Sequence, residues 1–103
     1  MAQFDVYPNP IEPDRETYPY VVQLSSDFVS GTRARLTAPL SPIAVTAPLK
    51  GIHPVVGFEG QPYVMEIMSI VAHDAADLRP QLGQLRGHAD DIFSALDFAF
   101  HGY

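Results

Sequence analysis

The sequence predicts a mainly β domain, an antiparallel, barrel-like sheet of short strands closed by one C-terminal helix. Three observations carry this. Apolar and polar residues alternate in several short runs; ten prolines and seven glycines punctuate those runs; and a helical period replaces the alternation only after residue 88. Strands first and a single helix last is the order of a sheet with one packed helix, not of alternating βαβ units.

Gln3-Phe4-Asp5-Val6-Tyr7 alternates, which places Phe4 and Val6 on one face of a half-buried strand. Pro8 to Asp14 contains three prolines, cannot supply a regular ladder of N–H donors, and is expected as an exposed loop. Tyr18, Tyr20, Val22 and Leu24 share one face of a second strand. After a turn at Ser30-Gly31-Thr32, residues Ala34, Leu36, Ala38 and Leu40 line a third, whose other face carries Arg33 and Arg35. From Pro39 to Gly51 the chain is proline-punctuated and uncharged except at Lys50; such a connection is either functional or a surface excursion that pads the barrel. His53–Phe58 and Gln61–Ile67 flank Glu59-Gly60, a two-residue hairpin loop whose glycine can take positive φ. Ile67–Ala72 is expected as a further strand, and Leu78-Arg79-Pro80 and Gly83 as turns. The end is helical: Ala89, Ile92, Leu96 and Ala99 form a core-facing stripe, Asp90 and Asp91 suit the first turn, His101 the last, and Gly102 the position that stops the helix. Phe93, Phe98 and Phe100 do not all fit that stripe, so at least one is exposed or covered by another chain.

The 103 residues are expected to form a single domain, 1–103, with one modest core. No stretch approaches the ~18 apolar residues that span a bilayer, and Met1–Asp5 offers no basic segment leading into an apolar one, so a cytoplasmic protein without membrane contact is expected. The absence of cysteine excludes a disulfide framework and a thiol nucleophile; a small core without staples favours oligomerisation. With a net charge of −6 and six basic residues, direct and tight nucleic-acid binding is disfavoured and a protein partner expected.

Enzyme signatures are missing. There is no Gly-x-Ser-x-Gly elbow, phosphate-cradling glycine loop or His-Glu-x-x-His, and the chain is read as a non-enzyme without cofactor or metal. Gly57-Phe58-Glu59-Gly60 superficially resembles a clamp on a nucleic-acid backbone, but it lies inside a hairpin with no basic flank. His73-Asp74-Ala75-Ala76-Asp77 lacks a second nearby histidine and is expected as a solvated loop; His53 and His88 are expected as packed or exposed. Arg33 and Arg35 could hold a phosphate or polarise an RNA scissile bond, but such a pair is more often the solvated side of an amphipathic strand, and that is the reading expected here.

In this order Gln3–Tyr7, Tyr18-x-Val-Val-Gln-Leu-Ser-Ser-Asp27, His53-Pro54-Val55-Val56, Tyr63-Val64-Met65 and, closest of all, His88–Tyr103 resemble the CcdB toxins. The resemblance covers nearly the whole chain and is weakest over Pro8–Glu16, Pro39–Gly51 and Ser69–Gln84. It implies an SH3-like barrel with a C-terminal helix, a homodimer, and poisoning of DNA gyrase through its A subunit. It places the poisoning on His101, Gly102 and Tyr103, with Asp97 and the turn residues Phe28 and Val29 beside that surface. It also implies a cognate CcdA-like antitoxin whose flexible tail wraps the dimer, a pairing associated with plasmid maintenance. The best-known member has tryptophan and isoleucine where this chain has His101 and Tyr103; histidine is a smaller stacking face that protonates near neutral pH.

Met65, Met68, Phe98 and Phe100 exceed what one small core should hide, which supports a two-fold dimer. The antitoxin is expected over the proline-rich loops, at Pro8, Asn9, Pro10, Ile43 and Ala44. Two alternatives stay open: an endoribonuclease toxin on the same barrel, drawing on Arg33, Arg35 and Glu66 or Asp27, and a barrel-fold interaction module without toxicity.

Overall fold

The computed structural model describes residues 2–26 and 32–102. Strands β1 (Asp5–Pro8), β2 (Tyr20–Gln23), β3 (Ala34–Pro42), β4 (Val55–Phe58), β5 (Gln61–Met65), β6 (Val71–Asp74) and β7 (Gly83–Gln84) precede helix α1 (Ala89–His101). All pairings are antiparallel, in the order β4-β5-β3-β2-β1-β7, with β6 also beside β3. The nine-residue β3 organises the sheet. One of its edges pairs with β2; the other is divided, Leu40–Pro42 taking β5 and Ala34–Thr37 taking β6. The sheet curls into a half-barrel and α1 packs into its inner face, as the sequence predicts.

That inner face holds the main core, where Val6, Val22, Ala38, Leu40, Met65 and Ile67 meet Ile92 and Ala95 of the helix. Burying one large aliphatic side chain of this kind contributes about 1.5–3 kcal/mol. Tyr20, Phe58 and Tyr63 close one end of it edge-to-face, with ring centroids 5.2–6.4 Å apart. Glu59 and Gly60 both take positive φ, the two-residue loop expected for the β4–β5 hairpin. No helix among the described residues is long and apolar enough to cross a membrane.

Several expectations are corrected. β1 is buried on both faces, not half-buried: Val6 joins the main core, while Tyr7 packs with Val21 and Leu78 in a second cluster under the 75–82 connection. Phe4 is not extended; its φ is +69°, uncommon for a bulky residue, and it is pinned by Phe4 N donating to Gln23 O (2.7 Å) and Leu85 N donating to Phe4 O (2.8 Å). Ala34 and Leu36 are exposed, not core-facing, because α1 does not cover that half of β3; Leu36 is 48% exposed. The stretch read as a loop from Pro39 begins as strand, since β3 runs to Pro42. Pro39 is tolerated there because it lies where β5 gives way to β6, so that edge has no ladder partner for the N–H it lacks, while its carbonyl accepts from Glu66 N at 3.0 Å.

Nor is Ile67–Ala72 one strand. Ile67–Ser69 is a single 3₁₀ turn that carries the chain from the β5 half of the β3 edge to the β6 half, and Met65, counted above as spare apolar surface, is fully buried. His73 and Asp74 belong to β6, not to a solvated loop. Gly83 pairs with Val6 in β7 where a turn was expected, and a Cβ there would lie 2.8 Å from the Phe58 ring, so only glycine fits.

Candidate interaction surfaces

The first surface is the end of α1. Ile92 and Ala95 are buried, with Ala89, Leu96 and Ala99 packed against the core, which fixes the rotation of the helix. The opposite side therefore shows Phe93, Asp97, Phe98, Phe100 and His101 to solvent, Phe100 at 70% exposure. Phe93 rests edge-on against Phe4, ring centroids 5.4 Å apart, so it is an anchored platform and not a loose side chain. Asp90 and Asp91 stand in the first turn and His101 in the last, and Gly102 (φ +79°) closes the helix by donating its N–H to Phe98 O at 2.9 Å. Beside this end, Ile67, Met68, Ile70, Ala99 and Phe100 line an apolar hollow. The structure thus brings Asp97, His101 and Gly102 together; Phe28, Val29 and Tyr103 lie outside the described residues.

The second surface lies at one end of the sheet. Pro8 of β1 pairs with Tyr20, Tyr20 with Leu40, and β3 ends two residues later at Pro42, so the 9–18 and 43–54 connections leave side by side. Pro10, Ile43 and Ala44 are accessible there, joined by Ile11, Val45 and Leu49. Asn9 is buried, contrary to the exposed loop expected. Its Nδ2 donates to Tyr18 O (3.0 Å), its Oδ1 accepts from Ile11 N (3.0 Å) and its carbonyl accepts from Arg15 Nε (2.6 Å). It shapes the loop from within; a partner would meet Pro10 and Ile11.

Among known protein families, the one described as CcdB protein matches residues 3–102. The chain belongs to the CcdB family. A search of curated proteins returned no match. At family level CcdB proteins are the toxin half of toxin–antitoxin pairs that poison gyrase, and the half-barrel with its C-terminal helix is consistent with the CcdB fold.

Membership in the CcdB family gives the remaining polar groups their setting. Asp5 is buried and held by Arg86 Nη2 (2.9 Å), Gln81 Nε2 (3.2 Å) and Ala2 N (2.9 Å), which ties β1 to the turn before α1. His88 Nε2 accepts from Gly57 N at 3.3 Å and His53 Nε2 from Met68 N at 3.4 Å, structural roles for both. The residues considered for RNA cleavage do not converge. Arg33 forms a two-pronged pair with Asp74 (3.1 and 3.3 Å), and Arg35 Nη1 donates to the carbonyls of Thr32 and Ala34. Glu66 is buried beside Pro39, roughly 20 Å along β3 from Arg33 at about 3.3 Å per residue, and Asp27 lies outside the described residues. No group of three or more metal-ligating side chains occurs among the described residues. Sequence reasoning passed over two contributors, Phe93 as a seated aromatic and Ile11 as the accessible tip of its loop. Helical spacing placed Phe93 off the core stripe, but its seat on Phe4 depends on a backbone turn with no sequence signal.

Proposed function

We propose that this protein is the toxin of a type II toxin–antitoxin pair, a cytoplasmic homodimer that inhibits DNA gyrase by binding its A subunit and catalyses nothing itself. The observation that carries the reading is the family match over residues 3–102, which runs through the helix end to Gly102. The geometry agrees with it. Asp97 lies on the exposed side of the helix, and His101 and Gly102 lie past the last core-packed residue, Ala99, so all three reach a target at no cost to the fold. The hollow at Met68, Ile70 and Phe100 suits an isologous contact that sets two such ends about one axis. Gyrase has a two-fold axis of its own, and paired tails make the second contact intramolecular, multiplying a weak one. Tyr103, Phe28 and Val29 complete the gyrase-binding set in this reading, and the CcdA-like antitoxin takes the Pro8–Pro10 and Ile43–Ala44 end.

Supercoiling and DNA-cleavage assays with purified gyrase test this directly. The full chain should inhibit and trap cleaved DNA, and His101→Trp should act more strongly, because stacking on an arginine contributes on the order of 0.5–2 kcal/mol and grows with ring size. A full-length protein that binds its antitoxin and leaves gyrase untouched would be an interaction module without toxicity. Light scattering that shows a monomer at micromolar concentration would remove the dimer.

A further inference from the structure

On the outer face of the sheet, next to the 9–18 connection, lies a small cleft. Its floor is Val21, Thr37 and Pro39, which β2 and β3 turn away from the core, and one wall is Val71 and His73 of β6. Ile11, Asp14 and Tyr18 form the other wall. At about 120 Å³ the cleft has room for one long side chain and not for a folded element.

Its electrostatics are one-sided. Asp14 stands exposed on the rim. Tyr18 Oη donates to Glu66 Oε1 at 3.2 Å, and the second oxygen of that buried carboxylate has no hydrogen-bond partner. Burial first, then Glu66 and Asp14, raise the Tyr18 phenol above its ordinary value, so both carboxylates act at the same point of the wall. The cations of this face are engaged elsewhere. Arg15 holds the Asn9 carbonyl and faces Glu12 at 3.8 Å, and Arg35, across the strands from His73, donates to Thr32 and Ala34. His73 is pushed below the ordinary histidine value by burial, opposed in part by Asp77, and its uncharged form is thereby favoured.

We propose that this cleft receives the side chain of a lysine or arginine from an extended partner segment. Its aliphatic stem lies on Val21, Val71 and Ile11, and its cationic head meets Asp14 and Tyr18. Long basic side chains bury their stems along apolar surface in this way, and an aromatic ring next to a carboxylate is a favourable seat for the head. The net charge of −6 draws such a segment in. In the reading above the segment belongs to the antitoxin; the inference rests on that reading only for the identity of the donor.

The test uses the full chain, ¹⁵N-labelled, and four capped tripeptides of the form acetyl-Gly-X-Gly-amide, with X arginine, lysine, glutamine or norleucine. Arginine and lysine should shift the amides of Tyr18, Ser69, Val71 and His73 saturably in the millimolar range and less at high salt. Asp14→Asn, at an exposed position, should weaken them about two- to fivefold. Norleucine or glutamine binding as well as arginine would overturn the proposal, as would arginine binding equally to Asp14→Asn or shifts that do not saturate at this cleft. The gyrase assay reads the α1 end alone, so either result can fail without the other.

Discussion

The two candidate surfaces are built on opposite plans. At the α1 end, a regular helix anchored by Ile92 and Ala95 presents aromatic and ionisable groups, and the chain continues past its last core-packed residue. At the proline-loop end, aliphatic side chains sit on irregular backbone held by Asn9 from inside and by Ser41 Oγ against Thr46 Oγ1 at 2.7 Å. A helix presents few groups in fixed positions, which suits a compact target contact. Stiffened loops present a longer surface that loses little entropy on docking, which suits an extended partner. The two surfaces therefore suit unlike partners although one main core, which holds both Leu40 and Ile92, supports them.

The comparison breaks most sharply if the surfaces are not separable. Deleting residues 101–103 should abolish gyrase inhibition while thermal stability and antitoxin binding stay nearly unchanged, since the packed stripe ends at Ala99. Equal inhibition by the truncated chain would end the assignment of the α1 end. Ile92→Ala should do the reverse: emptying a fully buried site costs about 2–5 kcal/mol, and chemical denaturation should show both activities lost together with the fold. Asn9→Ala should fall between. It leaves the Tyr18 carbonyl and the Ile11 N–H without their partner, about 1–3 kcal/mol, and calorimetry should find antitoxin binding weakened with gyrase inhibition kept.

The smallest expected effect concerns pH. His73 has a folded pKa below its ordinary value near 6.5, so the unfolded chain binds this proton first as pH falls. Its contribution to stability is full above about pH 6.5 and is lost as pH drops through the lower folded value. The thermal unfolding midpoint should therefore fall less between pH 7.5 and 5 in His73→Gln than in the parent protein. Parallel curves would show that burial of this imidazole has no energetic consequence.

Much of the fold was legible in the sequence. The helix with its Gly102 stop and the Glu59-Gly60 hairpin are where local chemistry put them, as positive φ and a 3.6-residue stripe are properties of short segments. The first five strands were legible in place but not always in facing, whereas β6 begins later than expected and β7 was read as a turn. Leu36 follows the same alternation as Ala38 and Leu40, yet it is exposed, because which half of β3 the helix covers is decided by residues more than fifty positions away. Of the surfaces, the sequence pointed to the helix tail, whereas the buried role of Asn9 and the seat of Phe93 on Phe4 arise from contacts between distant segments.

By itself, then, the sequence determined the elements set by nearest neighbours: short strands between prolines, one hairpin, one terminal helix, and an acidic surface unsuited to phosphate backbones. Tertiary structure alone decided how β5 and β6 divide one edge of β3, why Gly83 must lack a side chain beneath Phe58, and which exposed groups assemble into a cleft. The physical reason is range. Backbone preferences and periodicity act over a few residues, whereas burial, edge pairing and electrostatic convergence are settled only when segments far apart in the chain compete for the same surface.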